Sequence, residues 1–153
     1  MENSFFDLLR TPNFWSPFLA WLVAQSTKML VSLGRKGGRL DFRYLVSTGG
    51  MPSAHTSMVC GLATSVGLTA GFGSPVFVVA LTLAVVVVFD ASTVRQAAGR
   101  QAKLLNEMVQ ELFQEHRFSE QKLAELLGHT RLEVFLGAVM GVLVAFICTS
   151  VIT

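Results

Sequence analysis

Four long apolar segments, separated by polar or small residues, dominate the chain. They cover residues 14–33, 52–70, 74–90 and 132–152. Each is close to the length of about 20 mainly apolar residues that a helix needs to cross a bilayer. The third is rich in β-branched residues up to Asp90, but its length and its apolar neighbours favour a membrane helix over a buried strand. We predict an all-α integral membrane bundle of about four transmembrane helices.

The segment 91–128 is strongly polar, and its apolar residues follow a different pattern. They recur at spacings of three and four residues, which is typical of an amphipathic helix. They are Val94, Ala97, Ala98, Leu104, Leu105, Met108, Val109, Leu112 and Phe113. A turn near residues 116–118 and a second short helix are predicted to follow. We interpret this segment as an amphipathic helical insertion that lies on the membrane surface or packs on the bundle.

Composition supports a membrane protein with a single domain, residues 1–153. Hydrophobic residues make up 52% of the chain and charged residues only 14%, whereas an average soluble domain has about 25% charged residues. The net charge of +2 is too small to indicate nucleic acid as a partner. Cys60 and Cys148 lie in apolar segments, which favours buried free thiols over a disulfide framework.

The polar residues near the ends of the apolar segments fall on one side of a four-span bundle. The end of the first span, the start of the second, the end of the third and the start of the fourth share that side. The residues are Lys28 and Arg35, Ser53 and His55, Asp90 and Arg95, and His129 and Glu133. The opposite loop, residues 70–74, has no charge. Ionisable residues in or near a bilayer are expensive and usually functional, so we predict a site on this active face.

The distribution of lysine and arginine predicts the orientation. The active-face loops contain Arg35, Lys36, Arg39, Arg43, Arg95, Arg100, Lys103, Arg117, Lys122 and Arg131. The opposite side has Arg10 before the first span. Short loops rich in lysine and arginine stay in the cytoplasm. We therefore predict that the active face is on the cytoplasmic side of the inner or plasma membrane, with both termini on the opposite side.

The sequence around Ser53 is suited to binding an anion. Pro52 fits the first turn of a helix, so Ser53, Ala54 and His55 would present amide groups at its positive end, where phosphate binds well. The alternative is that Ser53 only caps the helix.

His129 and Glu133 are four residues apart, which places them on one face of a helix. The carboxylate can then hold one imidazole nitrogen and leave the other to act as a nucleophile. Alternatively, His129 is an interfacial histidine and Glu133 is favoured by the helix dipole.

These motifs resemble those of a known family. The stretch "MPSAHT" is similar to the "PSGH" core of the type 2 phosphatidic acid phosphatases, which share their site with vanadium haloperoxidases. "GHTRLEVFLGAVMG" resembles the end of that family's third motif, and Lys28 to Arg35 has the spacing of its first motif. The likeness spans residues 28–141, and the chain resembles the short, divergent branch of the family.

The resemblance implies hydrolysis of a lipid phosphate in two steps, without a metal or other cofactor. His129 would attack phosphorus, His55 would act as the general acid and base, and Glu133 would orient His129. Phosphate would be held by Lys28, Arg35, Ser53, the Ala54 amide and Arg95.

Several positions depart from the family pattern. Lys36 stands where the first motif has a proline, so Arg43 or Arg39 is an alternative to Arg35. Ala54 replaces a glycine and Glu133 an aspartate. Position 123 is leucine, where the third motif has an arginine.

We therefore expect the insertion to split the third motif, so that Arg95 supplies the guanidinium and Arg100 is the reserve. Asp90 either pairs with a site cation or takes part in catalysis.

Three other questions stay open from the sequence. A membrane protein that binds phosphate or lipid headgroups without hydrolysis is the main alternative, and a vanadate enzyme is a weaker one. The small-residue patterns "GLTAG" and "GAVMG" suit either a homo-oligomer or packing within one chain.

Overall fold

A computed structural model describes residues 5–35, 50–112 and 129–152. These residues form six α-helices and contain no strand. The helices are α1 (Phe5–Leu9), α2 (Pro12–Arg35), α3 (Ala54–Ala70), α4 (Pro75–Ser92), α5 (Val94–Leu112) and α6 (Arg131–Ile152). The all-α prediction is confirmed for this part of the chain.

Four of these helices coincide with the four predicted spans. Their ends differ from the predicted ends by no more than two residues. Helix α5 lies within the predicted insertion, whereas the predicted turn and second short helix lie outside the described residues.

Within the described residues, two helical stretches are long and apolar enough to cross a membrane, judged by length and composition. They are the stretch Pro75–Val109, which contains α4 and most of α5, and the helix α6. The most apolar 18 residues of each have mean hydropathies of 2.3 and 2.5. Only 17% and 22% of their most apolar parts is buried, whereas the core helix of a soluble protein would be mostly buried. The outer surface of α4 is largely valine, with Val79 70% exposed. Apolar faces of this kind need a membrane or a partner to cover them. That α2 and α3 also cross the membrane stays a prediction.

A short turn connects α3 to α4. Gly71 ends α3 with a φ of 88°, a conformation that favours glycine over residues with a Cβ. Ser74 then caps α4, since its hydroxyl accepts a hydrogen bond from the Phe77 amide at 3.2 Å. Pro75 follows in the first turn of the helix, where its missing amide hydrogen costs nothing.

Helix α3 is the centre of the bundle and packs against α2, α4 and α6. Small residues allow this close packing. A Cβ on Gly141 of α6 would collide with the Ser57 carbonyl oxygen and lie 2.9 Å from the Gly61 amide nitrogen. Gly61 itself lies against Ser16 and Ala20 of α2. The glycines of "GAVMG" thus pack within the chain.

Hydroxyl groups strengthen the contact between α2 and α3. The Ser57 hydroxyl donates to the Ala20 carbonyl oxygen at 3.0 Å, and the Ser65 hydroxyl donates to the Asn13 side-chain oxygen at 2.7 Å. Such hydrogen bonds between helices help to hold membrane bundles together, because lipid offers these polar groups no other partner.

Candidate active site

Two backbone hydrogen bonds join the helix ends at one end of the bundle. The Ser53 amide donates to the Glu133 carbonyl oxygen at 3.0 Å, which links the start of α3 to the start of α6. The His129 amide donates to the Ala91 carbonyl oxygen at 3.2 Å, which links the approach to α6 to the last turn of α4. Three of the residues predicted from the sequence, Ser53, His129 and Glu133, take part in these two links.

Ser53 is fully buried and is the N-cap of α3. Its hydroxyl accepts hydrogen bonds from the Thr56 amide at 3.4 Å and from the Thr56 hydroxyl at 3.0 Å. Because Ser53 caps the helix, Pro52 precedes the cap, and the prediction that it lies in the first turn is wrong.

Ala54, at the first position of α3, presents its amide group at the positive end of the helix. This amide donates no hydrogen bond to any other residue that the structure describes. The Ser53 amide, by contrast, is already bonded to Glu133. Of these two amides, Ala54 therefore offers the donor for an anion.

Lys28 is the buried cation of this region, with 3% of its surface exposed. It forms no hydrogen bond or salt bridge with another described residue, but it lies within electrostatic range of the Glu133 carboxylate. Burying an ammonium group is costly unless opposite charge compensates it. Glu133 compensates the charge of a protonated Lys28 only from a distance. An anionic ligand next to Lys28 could therefore compensate it further.

His129 is also buried, with 1% of its surface exposed, and it lies two residues before α6. A capping box begins that helix: the Thr130 amide donates to the Glu133 Oε2 at 2.8 Å, and the Glu133 amide donates to the Thr130 hydroxyl at 3.3 Å. His129 therefore precedes the helix and does not share its first turn with Glu133. The orienting role of Glu133 stays a prediction.

The other selected residues lie elsewhere on the described helices or outside the described part. His55 is exposed in the first turn of α3, Asp90 is half-buried near the end of α4, and Arg100 is exposed on α5. Arg35 is the last residue of α2, and Arg95 lies in the first turn of α5. Arg43 and Arg39 lie outside the described residues. Lys28, Ser53, Ala54, His129 and Glu133 thus form the described centre of the candidate site.

Two further residues lie beside the site and were not predicted from the sequence. Thr56 is fully buried and holds the Ser53 hydroxyl. Thr130 forms the capping box with Glu133, and its signal was present, because "TRLE" has the spacing of that motif. Among the described residues, no group of three His, Cys, Asp or Glu side chains is arranged to hold a metal ion.

Comparisons with known proteins agree with the motifs. The model of the divergent PAP2 family, the divergent branch related to type 2 phosphatidic acid phosphatases, matches residues 9–144. The uncharacterized membrane protein YuiD of Bacillus subtilis (strain 168) is 38% identical over 157 aligned residues, which cover 92% of this chain and 96% of YuiD. No solved structure matches the chain significantly. Together with the apolar helices, these similarities support a membrane location. The predicted resemblance is confirmed, and the chain belongs to the divergent PAP2 family.

Proposed function

We propose that the protein is a membrane-bound phosphatase that hydrolyses a lipid phosphate or diphosphate through a phosphohistidine intermediate. The main support is one set of features: a buried lysine within electrostatic range of Glu133, a buried histidine just before α6, and an available amide at the start of α3, which is bonded to the start of α6. Lys28 and the Ala54 amide suit the charge of a phosphate group, and His129 suits nucleophilic attack on it. An apolar bundle suits a substrate that is itself a lipid.

The proposed reaction has two steps. A neutral imidazole nitrogen of His129 forms a bond to phosphorus, the phosphorus–oxygen ester bond breaks, and His55 gives a proton to the leaving oxygen. Water then attacks the phosphorus of the phosphohistidine and loses a proton to His55. The bond between phosphorus and the His129 nitrogen breaks, and inorganic phosphate is released. His55 suits this role because it is exposed and can exchange protons with water.

The remaining cations would stabilise the charge on the transferring group. Lys28, Arg35 and Arg95 are assigned to its oxygens, with Arg43 and Arg100 as alternatives. A guanidinium group can bind two phosphate oxygens at once, which suits the geometry of the transition state.

A second candidate function is binding of phosphate or lipid headgroups without hydrolysis. The side chains of Glu133 and Ser53 both form hydrogen bonds that cap helices. This structural use of both side chains favours binding without hydrolysis. Leu123, in place of an arginine in the third motif, favours it as well.

Phosphate release by the purified protein separates the two functions. The assay should offer phosphatidic acid, phosphatidylglycerophosphate and an isoprenoid diphosphate in detergent micelles, with a chelator present because the proposed reaction uses no metal. We expect His129→Ala to abolish release, and His55→Ala to reduce it by about 10²–10⁴-fold, the usual contribution of general acid catalysis.

His116→Ala is the matched control, because that histidine has no assigned role, and its activity should stay near that of the wild type. Near-normal hydrolysis by His129→Ala would overturn the mechanism. Saturable binding of phosphatidic acid without any release by the wild type would favour the second function.

A further inference from the structure

An apolar groove lies on the outside of the bundle between α2 and α6. It has a volume of about 340 Å³, within the usual range of small-molecule sites. Thr27 and Val31 of α2 form one wall, Met51 and Pro52 close one end, and α6 contributes residues from Leu136 to Leu143. Seven residues of helix correspond to about 10 Å, so the groove follows about the middle third of α6.

The lining of the groove suits a hydrocarbon chain. Among the lining residues that the structure describes, Thr27 has the one hydroxyl, which donates a hydrogen bond to the Val23 carbonyl oxygen of its own helix at 2.8 Å. This hydroxyl therefore already has a hydrogen-bond acceptor within α2. Val31, Val139 and Leu143 are partly exposed, so the groove is open along the side of the bundle.

Three residues that line the groove are close in sequence to residues of the candidate active site. Thr27 directly precedes the buried Lys28, Pro52 directly precedes the helix cap Ser53, and Leu136 lies one turn after Glu133. A molecule that reaches from the site into the groove therefore needs an anionic end beside Lys28 and an apolar body along α6. A lipid phosphate has this arrangement of charge and apolar surface.

We infer that the groove holds the part of the substrate's hydrocarbon chain nearest to the headgroup, and that the protein thereby selects long-chain lipid phosphates over soluble phosphate esters. This inference rests on the proposed function, because it assigns the phosphate of the same molecule to the site around Lys28 and His129. The groove supplies binding that depends on the chain and is independent of the headgroup chemistry.

The first test fills the groove. Val139→Trp adds a large ring within it, and Val86→Trp is the matched control, because Val86 is an exposed valine on α4 outside the groove lining. We expect Val139→Trp to lower kcat/KM for dioleoyl phosphatidic acid by about tenfold or more, the scale on which pockets discriminate by size. Activity on glycerol 3-phosphate, which has the same phosphate monoester but no hydrocarbon chain, should change by less than about twofold.

The second test does not depend on turnover. A phosphatidic acid with a photoreactive diazirine in the upper part of one chain is irradiated with the protein, and the labelled residues are identified by mass spectrometry. We expect labelling to concentrate between Leu136 and Leu143, to be displaced by unlabelled phosphatidic acid but not by phosphatidylcholine, and to be lost in Val139→Trp.

The two tests separate failure of the groove from failure of the proposed function. If the wild type is labelled in the groove and the label is displaceable, but no phosphate is released, the groove binds the lipid chain and the proposed hydrolysis is wrong. The opposite result is hydrolysis that Val139→Trp and Val86→Trp change equally, with labelling spread evenly over α4 and α6. It would overturn the assignment of the groove to the hydrocarbon chain but leave the proposed hydrolysis standing. A change of oligomer mass in Val139→Trp alone would also overturn the inference, since it would assign the groove to contact between two copies.

Discussion

Glu133 shows how a single residue joins the structure of the site to its proposed chemistry. Its carbonyl oxygen holds the Ser53 amide, its carboxylate caps α6 through the Thr130 amide, and its charge acts on Lys28. Two of these contributions are structural, because they fix the starts of α3 and α6 next to each other. The negative charge is the part that catalysis would need.

Glu133→Gln should separate the structural and electrostatic contributions. Glutamine also completes a capping box, so the melting temperature of the purified protein should stay close to that of the wild type. The charge is lost, however, so phosphate release from phosphatidic acid should fall by about tenfold or more, which corresponds to about 1.4 kcal/mol or more of lost transition-state stabilisation.

Glu133→Ala is the comparison, because it removes both the cap and the charge. We expect it to lose the same activity and, in addition, about 1 kcal/mol of stability, the usual cost of losing a helix cap. Wild-type activity in Glu133→Gln would show that the carboxylate acts only as a cap.

At the scale of the helices, the site depends on the close approach of α3 and α6. Gly137 lies directly against Ser53, where an added Cβ would be 2.5 Å from the Ser53 carbonyl oxygen. Gly141 lies one turn further along α6 against Ser57 and Gly61. The neighbouring atoms are backbone atoms, so they cannot move aside without shifting a helix.

Gly141→Ala should therefore destabilise the bundle. Overpacking of this kind costs about 1–3 kcal/mol, which would lower the melting temperature in detergent by several degrees. Gly73→Ala is the matched control, because nothing lies within 4 Å of the added Cβ, and its effect should stay within about 0.5 kcal/mol. Equal melting temperatures for the two variants would contradict the close approach of the helices.

The helices could be predicted from the sequence because hydropathy and length determine them almost alone. Segments as long and apolar as residues 14–33 and 132–152 are compatible with few structures other than a helix. The start of α3 was misplaced because both a proline in the first turn and a serine cap fit the local sequence. Which one forms depends on contacts from elsewhere, here the bond from the Ser53 amide to the Glu133 carbonyl oxygen.

The candidate site was predictable in its composition but not in its detailed bonding. Lys28, Ser53 and His129 could be selected because polar residues are rare in such segments. That Lys28 and His129 are almost completely buried, and that Glu133 caps its own helix, depends on packing between helices far apart in the sequence. The groove between α2 and α6 has no local pattern at all, because residues from three separate segments form it.

At the scale of the whole molecule, the distribution of charge predicts which side of the membrane the site faces. Lysine and arginine in short loops keep those loops in the cytoplasm, and acidic residues have little influence. The predicted active-face loops hold ten of these cations, from Arg35 to Arg131, whereas residues 70–74 between α3 and α4 hold none. The site and its substrate should therefore lie in the cytoplasmic leaflet.

Labelling of single cysteines in intact cells tests this orientation. Cys60 and Cys148 are first replaced by alanine, and a cysteine is then placed at Phe72, which is 61% exposed in the α3–α4 turn, or at Lys103, whose side chain is 65% exposed on α5. A membrane-impermeant thiol reagent should label Phe72→Cys in intact cells and Lys103→Cys only after the cells are permeabilised. The opposite pattern would place the site on the outer side, where the enzyme would meet lipid phosphates of the outer leaflet, and the cations of the active face would then have to be explained by phosphate binding alone.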